Sequence, residues 1–84
     1  MAKIEIYTWA SCPYCIEAKK ILTKHGFEYV EYDVKENTKR KNEMIRRSKR
    51  YTVPQIFMDN KHIGGYEDLK NFINEGGLNK LKKP

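Results

Sequence analysis

The chain has 84 residues, 39% of them hydrophobic, and a formal net charge of +6, which bounds it to one domain, residues 1–84, around a single modest core. Two cysteines are too few for a small secreted protein held by several disulfides, and M-A-K-I-E-I-Y at the N-terminus lacks the unbroken apolar stretch of a signal peptide. No apolar run approaches the length that spans a bilayer, so a soluble chain of the reducing cytoplasm is expected.

Lys3 to Tyr7 alternates polar and apolar residues, a strand with Ile4 and Ile6 on one face. From Pro13 to Lys24 the apolar residues Cys15, Ile16, Ala18, Ile21 and Leu22 recur at helical spacing, and Gly26 stands where a helix-ending glycine belongs, just after Lys24 and His25. Phe27 to Val34 reads as the second strand. Asn37 or Thr38 caps a second helix running to about Ser48, with Met44 and Ile45 inward. T-V-P-Q-I-F-M then leads to Asp59-Asn60, a tight-turn pair, and K-H-I-G-G returns, so the two runs form a hairpin. Tyr66 to Glu75 is a third helix with Leu69, Phe72 and Ile73 inward, ended by Gly76-Gly77. A short turn from Leu78 to Leu81 closes the chain.

The charge is unevenly spread. Lys35, Lys39, Arg40, Lys41, Arg46, Arg47, Lys49 and Arg50 are balanced only by Glu36 and Glu43, so this segment holds the whole excess. Binding of nucleic acid, steering of anionic ligands and plain solvation of a helix face all fit such a run. Solvation comes first, because no aromatic residue interleaves the cations before Tyr51 and no nucleic-acid motif accompanies them.

The element order, βαβ followed by αββα, makes the first two strands parallel and adds an antiparallel hairpin. The result is an α/β protein with a mixed four-stranded sheet flanked by helices, the outline of a thioredoxin-like fold. Cys12-Pro13-Tyr14-Cys15 falls at the carboxyl end of the first strand, where open α/β sheets place their ligands. A disulfide between cysteines three apart closes a tiny loop and constrains little of the unfolded chain, so a structural staple explains the pair poorly. At a helix N-terminus, unpaired N–H groups and the positive end of the dipole stabilise a thiolate at Cys12. Pro13 suits the first helical position, and Cys15, one turn further on, is less exposed, so Cys12 attacks and Cys15 resolves. A zinc site would have to recruit His25 and His62, neither at ligand spacing, so no metal is expected. An iron–sulfur cluster shared by two chains, each giving one thiolate, stays open.

C-P-Y-C at 12–15, T-V-P-Q-I-F at 52–57 and G-G-Y-E-D-L at 64–69 together resemble the three signatures of dithiol glutaredoxins, in particular the small bacterial type. The resemblance covers essentially the whole chain, including N-E-M-I-R-R-S at 42–48. It implies a monomeric glutathione-dependent thiol–disulfide oxidoreductase that reduces glutathionylated proteins and disulfides, with glutathione as reductant. Family potentials are about −200 to −230 mV, against about −270 mV for thioredoxin. Cys12 and Cys15 would be catalytic, and Tyr14, Thr52, Val53, Pro54, Gly65, Tyr66, Glu67 and Asp68 would bind glutathione. In that family Pro54 is cis and offers the Val53 backbone to the tripeptide, Tyr14 lies over it, and the Gly64-Gly65 turn admits its γ-glutamyl group. The γ-glutamyl carboxylate would meet the N-terminus of the third helix and its ammonium Asp68. Glu67 stands where Asp or Ser is more usual, and Trp9 where many members have a thiolate-stabilising lysine. Lys39, Arg40 and Arg50 are the cations that could replace that lysine at the glycyl carboxylate. The competing readings are a glutathione-ligated cluster-carrying dimer and a basic nucleic-acid-binding module.

Overall fold

The strand on which everything else rests is β1, Ile4–Thr8, all five of whose residues are buried. The computed structural model describes residues 3–76, and the expected Gly77 and Leu78–Leu81 turn lie outside them. After β1 come α1 (Pro13–Lys24), β2 (Val30–Asp33), α2 (Thr38–Ser48), the hairpin β3 (Gln55–Met58) and β4 (Lys61–Gly64), and α3 (Tyr66–Asn74). The sheet order is β2-β1-β3-β4, with β2 parallel to β1 and both hairpin strands antiparallel to their neighbours. This is the expected mixed four-stranded, thioredoxin-like sheet.

Local signals explain most boundaries. Pro13 takes the first position of α1. At its far end Gly26 has φ +78, and the N–H groups of Gly26 and Phe27 bond back to the carbonyls of Thr23 and Leu22, a Schellman closure. The Asn37 side chain accepts the Arg40 N–H at 3.1 Å and so caps α2. Asp59 and Asn60 both have positive φ, 51 and 69, as the tight two-residue hairpin turn requires. β2 starts at Val30 rather than the expected Phe27, because the Phe27 N–H is spent on closing α1. Phe27 and Tyr29 still pack on the core from the loop.

Both sheet faces are covered. Ile4 and Ile6 share one face with Ala18, Leu22, Ile56, Met58 and Leu69 under α1 and α3, while Tyr7 lies with Val34, Met44 and Phe57 under α2. The polar half of the β1 alternation is therefore not a solvent face. Glu5 is 5% exposed and accepts from Arg47 at 3.1 Å and from the Tyr32 hydroxyl at 3.0 Å. The Tyr7 hydroxyl donates to Glu43, which also holds Arg40 at 2.9 Å. Met44 is the only apolar residue of α2 that is fully buried, and its burial stabilises by about 2 kcal/mol, far less than ordering the helix costs at about 1–2 kcal/mol per residue. The flat guanidinium groups supply further contact: Arg47 stacks 3.9 Å from the Phe57 ring centre and Arg40 4.0 Å from that of Tyr32.

Candidate active site

The chain leaves β1 at Thr8 and turns into α1, and this junction holds both cysteines. The Cys12 N–H bonds to the Trp9 carbonyl at 3.1 Å, which folds the loop back and leaves Cys12 as the N-cap of α1. Its sulfur takes the role that a Ser or Asn oxygen plays at an ordinary cap, accepting the Cys15 N–H at 3.2 Å. Cys12 is half-buried and Cys15 fully buried. Burial, reinforced by hydrogen bonding with the Cys12 sulfur, pushes the Cys15 thiol up to about 12, so Cys15 stays protonated at neutral pH. Cys12 has the N-terminus of α1 beside it. The two thiols thus differ: one is half-buried at the helix N-terminus, the other fully buried and protonated.

The second signature packs against the first. The Val53–Pro54 peptide is cis, and the Cys12 thiol donates to the Val53 carbonyl at 3.9 Å. The Thr52 carbonyl accepts from the buried Gln55 side chain at 3.0 Å, and Gln55 in turn meets the His62 ring at 2.7 Å. Gln55 therefore positions the loop that faces Cys12. It lies inside T-V-P-Q-I-F, of which Thr52, Val53 and Pro54, but not Gln55, are expected at the site.

The third signature makes the opposite wall. Gly64 has φ +125, and a Cβ there would stand 2.3 Å from Asp68 Oδ2, so only glycine lets the chain turn into α3 with Asp68 folded back on it. The Asp68 carboxylate accepts the Gly65 N–H at 3.0 Å and an Arg50 N–H at 2.9 Å. First the Arg50 guanidinium and then the Gly65 N–H hold its carboxyl below its ordinary 3.8. Tyr14 and Tyr66 lie with ring centres 5.6 Å apart.

Between these walls runs a groove of about 260 Å³ lined by Tyr14, Thr52, Val53, Pro54, Gly65, Tyr66, Glu67 and Asp68, joined by Arg50 and Gln55. All eight residues expected to meet glutathione thus share one cavity, with Cys12 reaching its edge through Val53. Of the three cations expected near the glycyl end, Arg50 lines the groove. Lys39 and Arg40 do not: Arg40 is spent on Glu43 and the Tyr32 ring, on the face of α2 that meets the sheet. Trp9 is exposed. His25 caps the end of α1 and His62 is half-buried against Gln55. Among the described residues no three His, Cys, Asp or Glu side chains converge, and no helix is long and apolar enough to cross a membrane.

Known proteins share this fold. The glutaredoxin family model matches residues 4–63. The chain is 48% identical over 83 residues to glutaredoxin 3 of Escherichia coli, covering 99% of this chain and 100% of that protein. Among solved structures, the glutaredoxin of Brucella melitensis superposes with a TM-score of 0.82 at 42% identity, covering 96% of this chain and 88% of that one. A dithiolic glutaredoxin of Trypanosoma brucei brucei gives 0.83 at 32% identity, covering 94% and 84%. With two thiols at a strand-to-helix junction, a cis-proline loop against one of them and a match along its whole length, the chain belongs to the glutaredoxins, a family of thiol–disulfide oxidoreductases.

Proposed function

We propose that the reductant is glutathione, that glutathionylated proteins and disulfides are the substrates, and that Cys12 is the nucleophile. The Cys12 thiolate attacks the glutathione sulfur of a mixed disulfide; a Cys12–glutathione disulfide forms and the protein thiolate leaves and takes up a proton. A second glutathione thiolate attacks that same glutathione sulfur, releasing oxidised glutathione and restoring Cys12. Where Cys12 is instead joined to a protein substrate, Cys15 gives up its proton and attacks the Cys12 sulfur. The Cys12–protein bond breaks, the protein thiolate leaves and takes up a proton, and the 12–15 disulfide that forms is then reduced by two glutathione molecules, which leave as oxidised glutathione. The high Cys15 value suits this order, since Cys15 does not compete for the first attack.

The observation that carries the reading is that two helix N-termini, those of α1 and α3, border one groove whose wall also bears the Asp68 carboxylate. The γ-glutamyl end of glutathione carries a carboxylate and an ammonium side by side. The α3 N-terminus suits the former and Asp68 the latter. Val53 would pair with the tripeptide backbone, Thr52 and Pro54 would shape that edge, and Tyr14 and Tyr66 would cover it. The turn at Gly65 would admit the γ-glutamyl group, and the N–H groups of Tyr66 and Glu67 would point at its carboxylate. The whole chain, 1–84, acts in this reading as one domain and as a monomer in the reducing cytoplasm.

The test compares Cys12→Ser with Cys15→Ser in glutathione-dependent release of glutathione from a glutathionylated peptide. Cys12→Ser should abolish turnover and Cys15→Ser should keep much of it. Equal loss in both, or equal rates when free cysteine replaces glutathione, would overturn the reading.

A further inference from the structure

The eight cations between Lys35 and Arg50 fall into two sets. Arg40, Arg47 and Arg50 are paired with Glu43, Glu5 and Asp68. Lys35, Lys39, Lys41, Arg46 and Lys49 are exposed and form no ion pair among the described residues. A solvated helix surface ordinarily intersperses both signs. Here Glu43, the one acid on α2, is turned to Tyr7 and Arg40, and a ridge of net positive charge remains, with Asp33 and Glu36 beside its Lys35 end.

The ridge is anchored at the end of the sheet that carries Cys12. The Val34 N–H bonds to the Thr8 carbonyl at 3.0 Å, which sets Lys35 beside the end of β1 where the Cys12 loop departs. At its other end Arg50 lines the groove, and Tyr51, 78% exposed, leads straight into Thr52 and Val53. Between them Ile45 packs in the same cluster as Val53, and Lys41 lies one turn earlier on that helix face. A groove of about 260 Å³ takes a small peptide, so the remainder of a protein substrate extends past its rim, part of which is Arg50 and the segment that follows it.

We propose that the ridge is a docking surface for protein substrates, and that it favours those whose mixed disulfide lies in an extended segment flanked by Asp and Glu. This rests on the glutathione reaction proposed above and names its protein substrate class. The charges stand off the reacting sulfurs, so they act on encounter, where complementary charge raises association rates well above those of neutral surfaces. Salt weakens such steering, because the screening length shrinks from about 10 Å at 0.1 M to about 3 Å at 1 M.

The test uses two glutathionylated peptides with one core sequence, flanked by Glu or by Lys, beside the uncharged mixed disulfide of glutathione with mercaptoethanol. Wild type should turn over the Glu peptide with kcat/KM about tenfold above the Lys peptide at low salt, and the ratio should fall toward one near 0.5 M salt. The variant Lys35→Gln/Arg46→Gln/Lys49→Asn should lose at least threefold of that preference and keep its rate on the small disulfide; Asn suits position 49, where φ is +62. Equal rates on both peptides in wild type, or a preference that survives in the variant, would overturn the proposal. So would a labelled single-stranded RNA that binds the ridge more tightly than the Glu peptide at equal salt. Failure of wild type on the small disulfide would instead sink the glutathione reading.

Discussion

Asp68→Asn isolates a single charge in the groove. The side chain is 44% exposed, takes the Gly65 N–H at 3.0 Å and holds Arg50 at 2.9 Å. Asn has the same shape, and its amide oxygen can still accept the Gly65 N–H, so the start of α3 should survive. What disappears is the negative charge offered to a ligand ammonium. A hydrogen bond to a charged group contributes about 1.5–3 kcal/mol when shielded, and an exposed ion pair about 0.2–1 kcal/mol. At half exposure the loss should be about 1–1.5 kcal/mol, or roughly 5- to 12-fold in affinity. Initial rates against the concentration of a glutathionylated peptide, with glutathione held saturating, should show KM rising by that factor and kcat within about twofold. The pH dependence gives a second reading. Because Arg50, then the Gly65 N–H, hold the Asp68 carboxyl below 3.8, the charge persists as pH falls until the lowered value is reached. The ratio of wild type to variant should therefore stay flat from about pH 5 to 8. An unchanged KM, a fall in kcat equal to that in kcat/KM, or a ratio that drifts within that window would refute the reasoning.

Gly64→Ala should drive a Cβ to within 2.3 Å of Asp68 Oδ2 at φ +125, for a loss of about 1–3 kcal/mol and a fall in Tm of roughly 4–8 °C per kcal/mol. Gly65→Ala meets only the Pro54 carbonyl at 3.4 Å and should cost clearly less; thermal melts that rank the two in reverse order would contradict this. Arg47→Met leaves Glu5 buried with only the Tyr32 hydroxyl, and urea unfolding should register a loss of about 3 kcal/mol, the lower end for breaking a buried pair. Adding Glu5→Gln should restore part of it. Burial alone would raise the Glu5 carboxyl, but hydrogen bonds from Arg47 and Tyr32 outweigh it and hold the group below 4.5. Its stabilisation is thus fully present above that ordinary value and fades as pH falls through the lowered one. The gap between wild type and the double variant should then narrow below about pH 4; a gap that widens there would reverse the assignment.

The residue pattern alone determined the elements that rest on local chemistry. Pro13 and Gly26 mark the ends of α1, Asn37 or Thr38 starts α2, and Asp59-Asn60 turns the hairpin, because each acts on backbone within a few residues of itself and needs no distant partner. The groove lining was legible through the resemblance that three short motifs carry, which implied all of it but Gln55. Tertiary structure decided what depends on neighbours remote in the chain. The alternation in β1 is the same whether Glu5 meets water or Arg47, 42 positions away, and only packing under α2 buries it. Phe27 to Tyr29 carry a strand-like pattern, yet the Phe27 N–H goes to α1. The cations from Lys35 to Arg50 are equivalent as a charge run. Helix geometry and three acids contributed by β1, α2 and α3 separate those that hold the fold or line the groove from those left facing solvent.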